Sequence, residues 1–337
     1  MGLEVITPGL LTSVQDGGRF GHQRIGMSPA GAMDLHAMRL ANILVGNARD
    51  EAVLEMTMLG PKLRFTQDNV FAVMGADMGA ALDGVPVPMG QAVTARAGSV
   101  LQFGAAKTGC RAYLAVAGGF DVPVLYGSKS TLLRSALGGF QGRKLEAGDD
   151  LPFAAPKASV INQAIRQLPP QPPISRSVTL RVIPGPQDDR FTKQGLETFY
   201  SSTFTVTDKS DRMGCRLTGP KVEHSTDANI ISDGIPFGAV QVPGSGEPII
   251  MMSEHQGSGG YTKIANVISV DIPLAAQCPP GASIRFQPVT VEEAQQLYLD
   301  RLAEYTQLEQ MFSQELRGIY RMTVNGRTYC VGITAGQ

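Results

Sequence analysis

Short strand-like runs, punctuated by glycine and proline, constrain this chain more than any other feature. "LEVITPG", "KLRF", "VFAVMG", "SVLQFG", "CRAYLAVAGG", "VTLRVIPG", "TFTVT", "GAVQVP", "PIIMM", "KIANVISVDI" and "SIRFQPV" follow one another along the sequence. They are rich in β-branched or aromatic residues and are bounded by Gly, Pro or Asp. The 39 glycines and 22 prolines are spread over all 337 residues, which marks tight turns between strands and not disorder. With 43% hydrophobic residues the chain can bury a core, and its length suits about two domains. The pattern predicts a mainly β architecture with a few helices.

Three segments read as helices. In "MDLHAMRLANILVGN", Leu35, Met38, Leu40 and Ile43 supply the apolar positions, Asp34 suits the N-cap and Gly46-Asn47 the end. "DDRFTKQGLETFYSS" predicts a second. A third starts at Thr290, where Glu293 completes a capping box, and is expected to stop at Gly318. Its apolar residues, among them Leu297, Leu302, Tyr305, Leu308 and Phe312, form an imperfect heptad, so packing on its own domain is favoured over a coiled coil. Asn325-Gly326 then predicts a type I′ hairpin. An isolated hairpin is marginal in water and must pair with the body or with another subunit.

Proline-rich residues 168–177 read as a connector. The expected division is 1–167, the connector 168–177, 178–289, and a helix and hairpin tail over 290–337. A short echo supports duplication: "LGPKLRF" at 59–65 recurs as "TGPKVEH" at 218–224, and "CRAYLAVAGGF" parallels "GGYTKIANVI".

The formal net charge is −1 and no basic motif is present, so nucleic acid is not an expected partner. No apolar run nears the roughly 18 residues of a membrane span, and the opening lacks a signal-peptide pattern. Cys110, Cys215, Cys278 and Cys330 lie far apart with no CxxC pair. A cytoplasmic protein with reduced, inert thiols is expected. No Walker-A loop, GxSxG elbow or HExxH motif occurs, and no metal site is expected.

Polar residues gather instead in four glycine-rich stretches: "VQDGGRFGHQRIGMSPAGAMD", "YGSKSTLLRSALGGFQGRKLEAGDDL", "DKSDRMGCRLTGP" and "ISDGIPFGAVQVPGSGEPIIMMSEHQGSGGY". Glycine lets backbone N–H groups approach a ligand. Arginine grips a carboxylate, and Gln, Ser and Tyr orient an amide without adding charge. A groove for a small anionic or amide substrate fits these residues. Capped turns with surface ion pairs fit them too.

The same stretches, with "ANILVGN", "YLAVAGGFDVP" and "GGYTKIANVISVDIPLAAQCPPG", stand in an order that resembles the biotin-dependent carboxyltransferase domain family, also called allophanate hydrolase subunit 2. The resemblance runs from about residue 3 to about residue 298. It implies two cyclophilin-like β-barrel domains in tandem, followed here by the helix and hairpin. It implies a subunit 1 partner (the KipI or 5-oxoprolinase B type) forming a composite groove. The added helix and hairpin leave spare strand edges, which predict self-association without that partner. In 5-oxoprolinase members, an A-type subunit completes ATP-dependent opening of 5-oxo-L-proline to L-glutamate. In urea carboxylase members, CO2 moves from carboxybiotin to urea nitrogen. KipA members instead bind a kinase inhibitor. The role of the C-type component of 5-oxoprolinase is the leading expectation.

Carried onto this sequence, the resemblance implies binding by Gln15, Asp16 and Arg19, by Ser128 and Ser130, and by Arg143, Arg212, Asp233, Gln241 and Tyr261. Arg212 or Arg143 would clamp a carboxylate. Asp16 or Asp233 would polarise the amide nitrogen or take its proton, and preorganised donors, Arg19 among them, would stabilise charge on oxygen. One departure stands out: "QGSGGY" replaces the family's frequent "QTTGGY", so Gly257 lacks a hydroxyl. The tail faintly resembles the opening strands of a biotinyl carrier domain but has no Met-Lys-Met site.

Overall fold

The computed structural model describes residues 2–155, 160, 163–169, 171–314, 316–324 and 327–334. The chain is mostly β, as the sequence predicts. In the first half, two antiparallel sheets enclose one core. One has the order Asp150–Pro152, Gly2–Thr7, Lys62–Phe65, Val100–Gln102, Ala81–Leu82, Val85–Pro86. The other has the order Leu11–Gln15, Val53–Thr57, Thr108–Val116, Asn69–Asp77, Val93–Ala95.

The central strand Thr108–Val116 shows how sequence sets this packing. Side chains alternate between faces. Ala112, Leu114 and Val116 face the core between the sheets. Tyr113 and Ala115 face the other way, onto helix α1 (Leu35–Leu44). Both faces are covered, so the strand reads as an unbroken apolar run. Asp34 caps α1 as expected, its side chain accepting from the Ala37 N–H at 2.9 Å.

In the second half, seven strands close into a ring: Ser177–Pro184, Ser283–Pro288, Phe204–Val206, Gly214–Thr218, Ile249–Met251, Ala239–Val242 and Ser258–Val267, the last pairing back onto the first. Closure removes exposed strand edges. Asn229–Gly234 adds to Ser258–Val267 beside the ring. Helix α2 (Lys193–Ser201) covers one side and stacks Phe199 on Phe286 at 4.4 Å. A short helix α3 (Ile272–Ala276) replaces the expected continuation of a strand, with Pro273 in its first turn.

Helix α4 (Val291–Ser313) carries the full capping box of Thr290 and Glu293. Tyr305 and Phe312 bury against α1. The helix ends at Ser313, before the expected stop at Gly318. Gly318 instead pairs with Ile333 in the hairpin of Leu316–Val324 and Arg327–Thr334, whose ladder claims its backbone. The turn residues Asn325 and Gly326 lie outside the described residues. The Gly-Pro-Lys echo is not structural: Lys62 opens a strand, whereas Lys221 lies in a loop. No described helix is long and apolar enough to cross a membrane.

Buried polar groups join the two halves. The Gln277 side-chain oxygen accepts from the Cys110 and Arg111 N–H groups at 3.1 Å each. Its nitrogen donates to Asp34 Oδ2 and the Arg111 carbonyl at 2.8 Å each. Gln277→Ala strands several buried donors and acceptors at once. It is expected to destabilise the fold by about 2–4 kcal/mol, read as a lower urea midpoint with an unchanged slope. A midpoint within error of wild type would contradict this account of the junction.

Candidate functional site

The strand Leu11–Gln15 delivers the chain to the glycine-rich loop at Asp16. The buried Asp16 carboxylate accepts from the Gly18 N–H at 2.8 Å, Ser128 Oγ at 2.7 Å, Ser130 Oγ at 2.5 Å and the Lys129 N–H at 2.5 Å. Four donors make it a clamp between two loops and occupy the lone pairs that a substrate proton would need. Gln15 donates to Ser13 Oγ at 3.0 Å and to the Thr131 carbonyl at 3.1 Å, while its Oε1 has no partner among the described residues.

Arg19 lies beside this clamp and is 1% exposed. Its Nη2 donates to the Ser130 carbonyl at 2.5 Å, and its Nε and Nη1 have no acceptor among the described residues. Burial pulls the guanidinium pKa down, opposed by the Asp16 and Glu254 carboxylates. Gly138 permits this approach: at φ +69°, a Cβ there would fall 2.7 Å from Arg19 Nη2 and 2.2 Å from the Ser130 carbonyl. A buried cation with two free donors is suited to an oxygen that carries or develops negative charge.

Arg212, from the second half, reaches into the first. It pairs with Glu55, with Glu254 at 2.6 Å and with the Gly31 carbonyl at 2.6 Å. Burial disfavours its charge, but Glu55 and Glu254 reverse the effect and hold its pKa up. Glu55 also accepts from Tyr113 Oη at 2.9 Å and the Met33 N–H at 2.8 Å. Arg212 therefore braces the opening loop; its donors are spent on protein groups.

Next to Glu254, His255 is 1% exposed and neither ring nitrogen has a partner among the described residues. Burial lowers its pKa to about 4. Its carbonyl accepts from Ser28 Oγ of the opening loop at 2.8 Å.

A cavity of about 650 Å³ opens on the second barrel, and Gln241 and Tyr261 line it. Gln241 is buried with an unpartnered Nε2, whereas Tyr261 is exposed. The rim meets the first half at two points. Arg134 touches the Met213 sulfur, and Gln23 lies beside Gly257, next to the lining residue Gln256. A Cβ on Gly257 would meet the Gln23 carbonyl at 3.6 Å, an ordinary contact. The missing hydroxyl there is thus a change of chemistry and not a backbone requirement.

Of the residues singled out in sequence, Gln15, Asp16, Arg19, Ser128 and Ser130 form one cluster with Arg212 behind it. Gln241 and Tyr261 belong to the cavity on the second barrel, which none of these cluster residues lines. Asp233 is exposed on the added strand and pairs with the buried Lys263 at 2.8 Å. Arg143 joins none of these, since it forks onto Asp149 with two contacts of 2.8 Å. Sequence reading passed over Glu55, whose signal was a lone carboxylate inside the apolar run "AVLEMTM". Glu254 and His255 lay in a polar stretch where no spacing rule ranked them.

Residues 25–288 match the family described as carboxyltransferase domain, subdomain A and B. This chain belongs to that carboxyltransferase family. It is similar to the C-type component of Escherichia coli 5-oxoprolinase, 39% identical over 308 residues that span 89% of this chain and 97% of that protein. It is 35% identical to urea amidolyase of Saccharomyces cerevisiae over 88% of this chain but only 17% of that protein. Among solved structures, the Kluyveromyces lactis urea amidolyase superposes with a TM-score of 0.86 at 33% identity, over 91% of this chain and 20% of that one. The carboxyltransferase-family assignment thus covers both halves and the junction between them.

The buried histidines of this carboxyltransferase-family protein give it an acid limit. His255 falls from 6.5 to about 4 and His36 from 6.5 to about 3, both chiefly through burial. The unfolded chain therefore binds more protons below about pH 6.5, and stability is lost as the pH falls from there. For His255 the gap corresponds to about 3 kcal/mol once the pH reaches about 4. The urea midpoint is expected to drop on acidification, and less steeply in His255→Gln. An equal slope in both proteins would remove His255 from the effect.

Proposed function

We propose that this chain is the C-type component of an ATP-dependent 5-oxoprolinase, opening 5-oxo-L-proline to L-glutamate. Its partners would be a subunit 1 protein of the KipI or 5-oxoprolinase B type and an A-type subunit, with ATP bound on a partner. The near end-to-end match to a free-standing 5-oxoprolinase component supports this over the urea amidolyases, of which the chain spans less than a fifth. The observation that carries the reading is Arg19, buried with two donors free.

An amide resists attack because its oxygen must take up negative charge. Arg19 would hold that oxygen or the substrate carboxylate. Asp16, held by the Ser128 and Ser130 hydroxyls, keeps the loop in place. Gln241 and Tyr261 would orient neutral parts of the substrate from the cavity on the second barrel. Carboxyl transfer from carboxybiotin to urea is the second reading, favoured by the superposition on urea amidolyase.

The test is ATP-dependent glutamate formation from 5-oxoproline by the co-expressed subunits. Arg19→Gln should lower kcat/KM by about 10²–10³-fold, while Arg96→Gln, at an exposed pair with Asp68, should leave it unchanged. Wild-type turnover in a folded Arg19→Gln complex would sink the role of Arg19. Turnover that requires carboxybiotin and urea would put the second reading first.

A further inference from the structure

A second cavity, of about 340 Å³, lies where the opening loop, α1, α3 and α4 meet. It shares no lining residue with the larger one. Its size falls in the range of small-molecule sites, roughly 300–1,000 Å³. Its walls divide by chemistry. Phe20, Phe237 and Tyr298 present aromatic surface, and Phe20 is 67% exposed, a large apolar ring without full cover. Opposite chemistry comes from His36, Arg39 and Arg301.

No carboxylate lines the cavity. Arg39 pairs with Asp50 at 2.8 Å and Arg301 with Glu304 at 3.2 Å, and both carboxylates are about half exposed, at 54% and 48%. The arginines are only 20% and 27% exposed and make both contacts through Nε, which leaves Nη groups for an incoming anion. His36 Nδ1 lies 2.9 Å from Tyr305 Oη. When the Tyr305 hydroxyl donates to Nδ1, the neutral imidazole carries its own proton on Nε2, a donor without a protein partner among the described residues.

We propose that this cavity binds a small aromatic carboxylate. Its ring would lie against Phe20, Phe237 and Tyr298, and its carboxylate on Arg39, Arg301 and His36. Guanidinium matches a planar carboxylate, and aromatic walls favour a flat apolar ring. The site also touches the first cluster: Phe20 follows Arg19 in sequence, and Phe237 packs edge-on to His255 at 6.1 Å.

The test uses the isolated full chain and benzoate as probe, followed by saturation-transfer NMR, with benzyl alcohol as the uncharged control. Saturable benzoate binding, at least about tenfold tighter than benzyl alcohol, is expected. Arg301→Gln and Tyr298→Ala should each weaken it by about tenfold at unchanged melting temperature. Equal binding of the alcohol, wild-type affinity in both folded variants, or no saturable binding would each overturn the proposal. No partner subunit or turnover enters this measurement, so its failure leaves the 5-oxoprolinase reading standing.

Discussion

Everything around the opening loop depends on one buried guanidinium. Arg212 leaves the second barrel and is enclosed by Glu55, Glu254 and the Gly31 carbonyl. Charges taken out of water are tolerated only when fully paired, and removing one partner of such a group costs about 3–5 kcal/mol. The arrangement therefore fixes three things together: the strand Val53–Thr57, the loop that carries Gly31, and the turn that carries Glu254. A glycine-rich polar loop has little apolar surface of its own to bury. Its order comes from this pair and from the Asp16 clamp.

Much of the fold was legible because local rules and tertiary packing agree. The Asp34 cap, the Thr290–Glu293 box and the glycine- and proline-bounded strands are short-range features, and each stands where the sequence put it. What the sequence hid was long-range. Glu55 reads as a strand residue of uncertain facing until Arg212, 157 positions away, supplies its partner. Gly318 looks like a helix stop, but the hairpin ladder beyond Ser313 takes that segment first. Arg143 fits a substrate clamp in sequence, yet the short turn to Asp149 gives it a nearer carboxylate.

For the candidate site, residue types were readable and roles were not. A carboxylate and an arginine three residues apart suggest acid–base chemistry on paper. In the folded chain Asp16 is filled by four donors and Arg19 is the group with unmet capacity. The difference lies in hydrogen-bond saturation, which depends on where the Ser128–Ser130 loop lands. Spacing along the chain carries no information about that.

Met33 adds a temporal side to this architecture. It belongs to the loop of the first half, yet its side chain packs in the core of the second, with Val240 and Ile272. A ribosome releases the first half before that core exists, and domains tend to fold in the order of their synthesis. The first sheets can assemble at once, but the Gly31–Met33 end of the loop must wait for the later barrel to receive Met33. The Asp16 clamp uses first-half residues alone, so the loop acquires its two anchors at different times, the Arg212 anchor last.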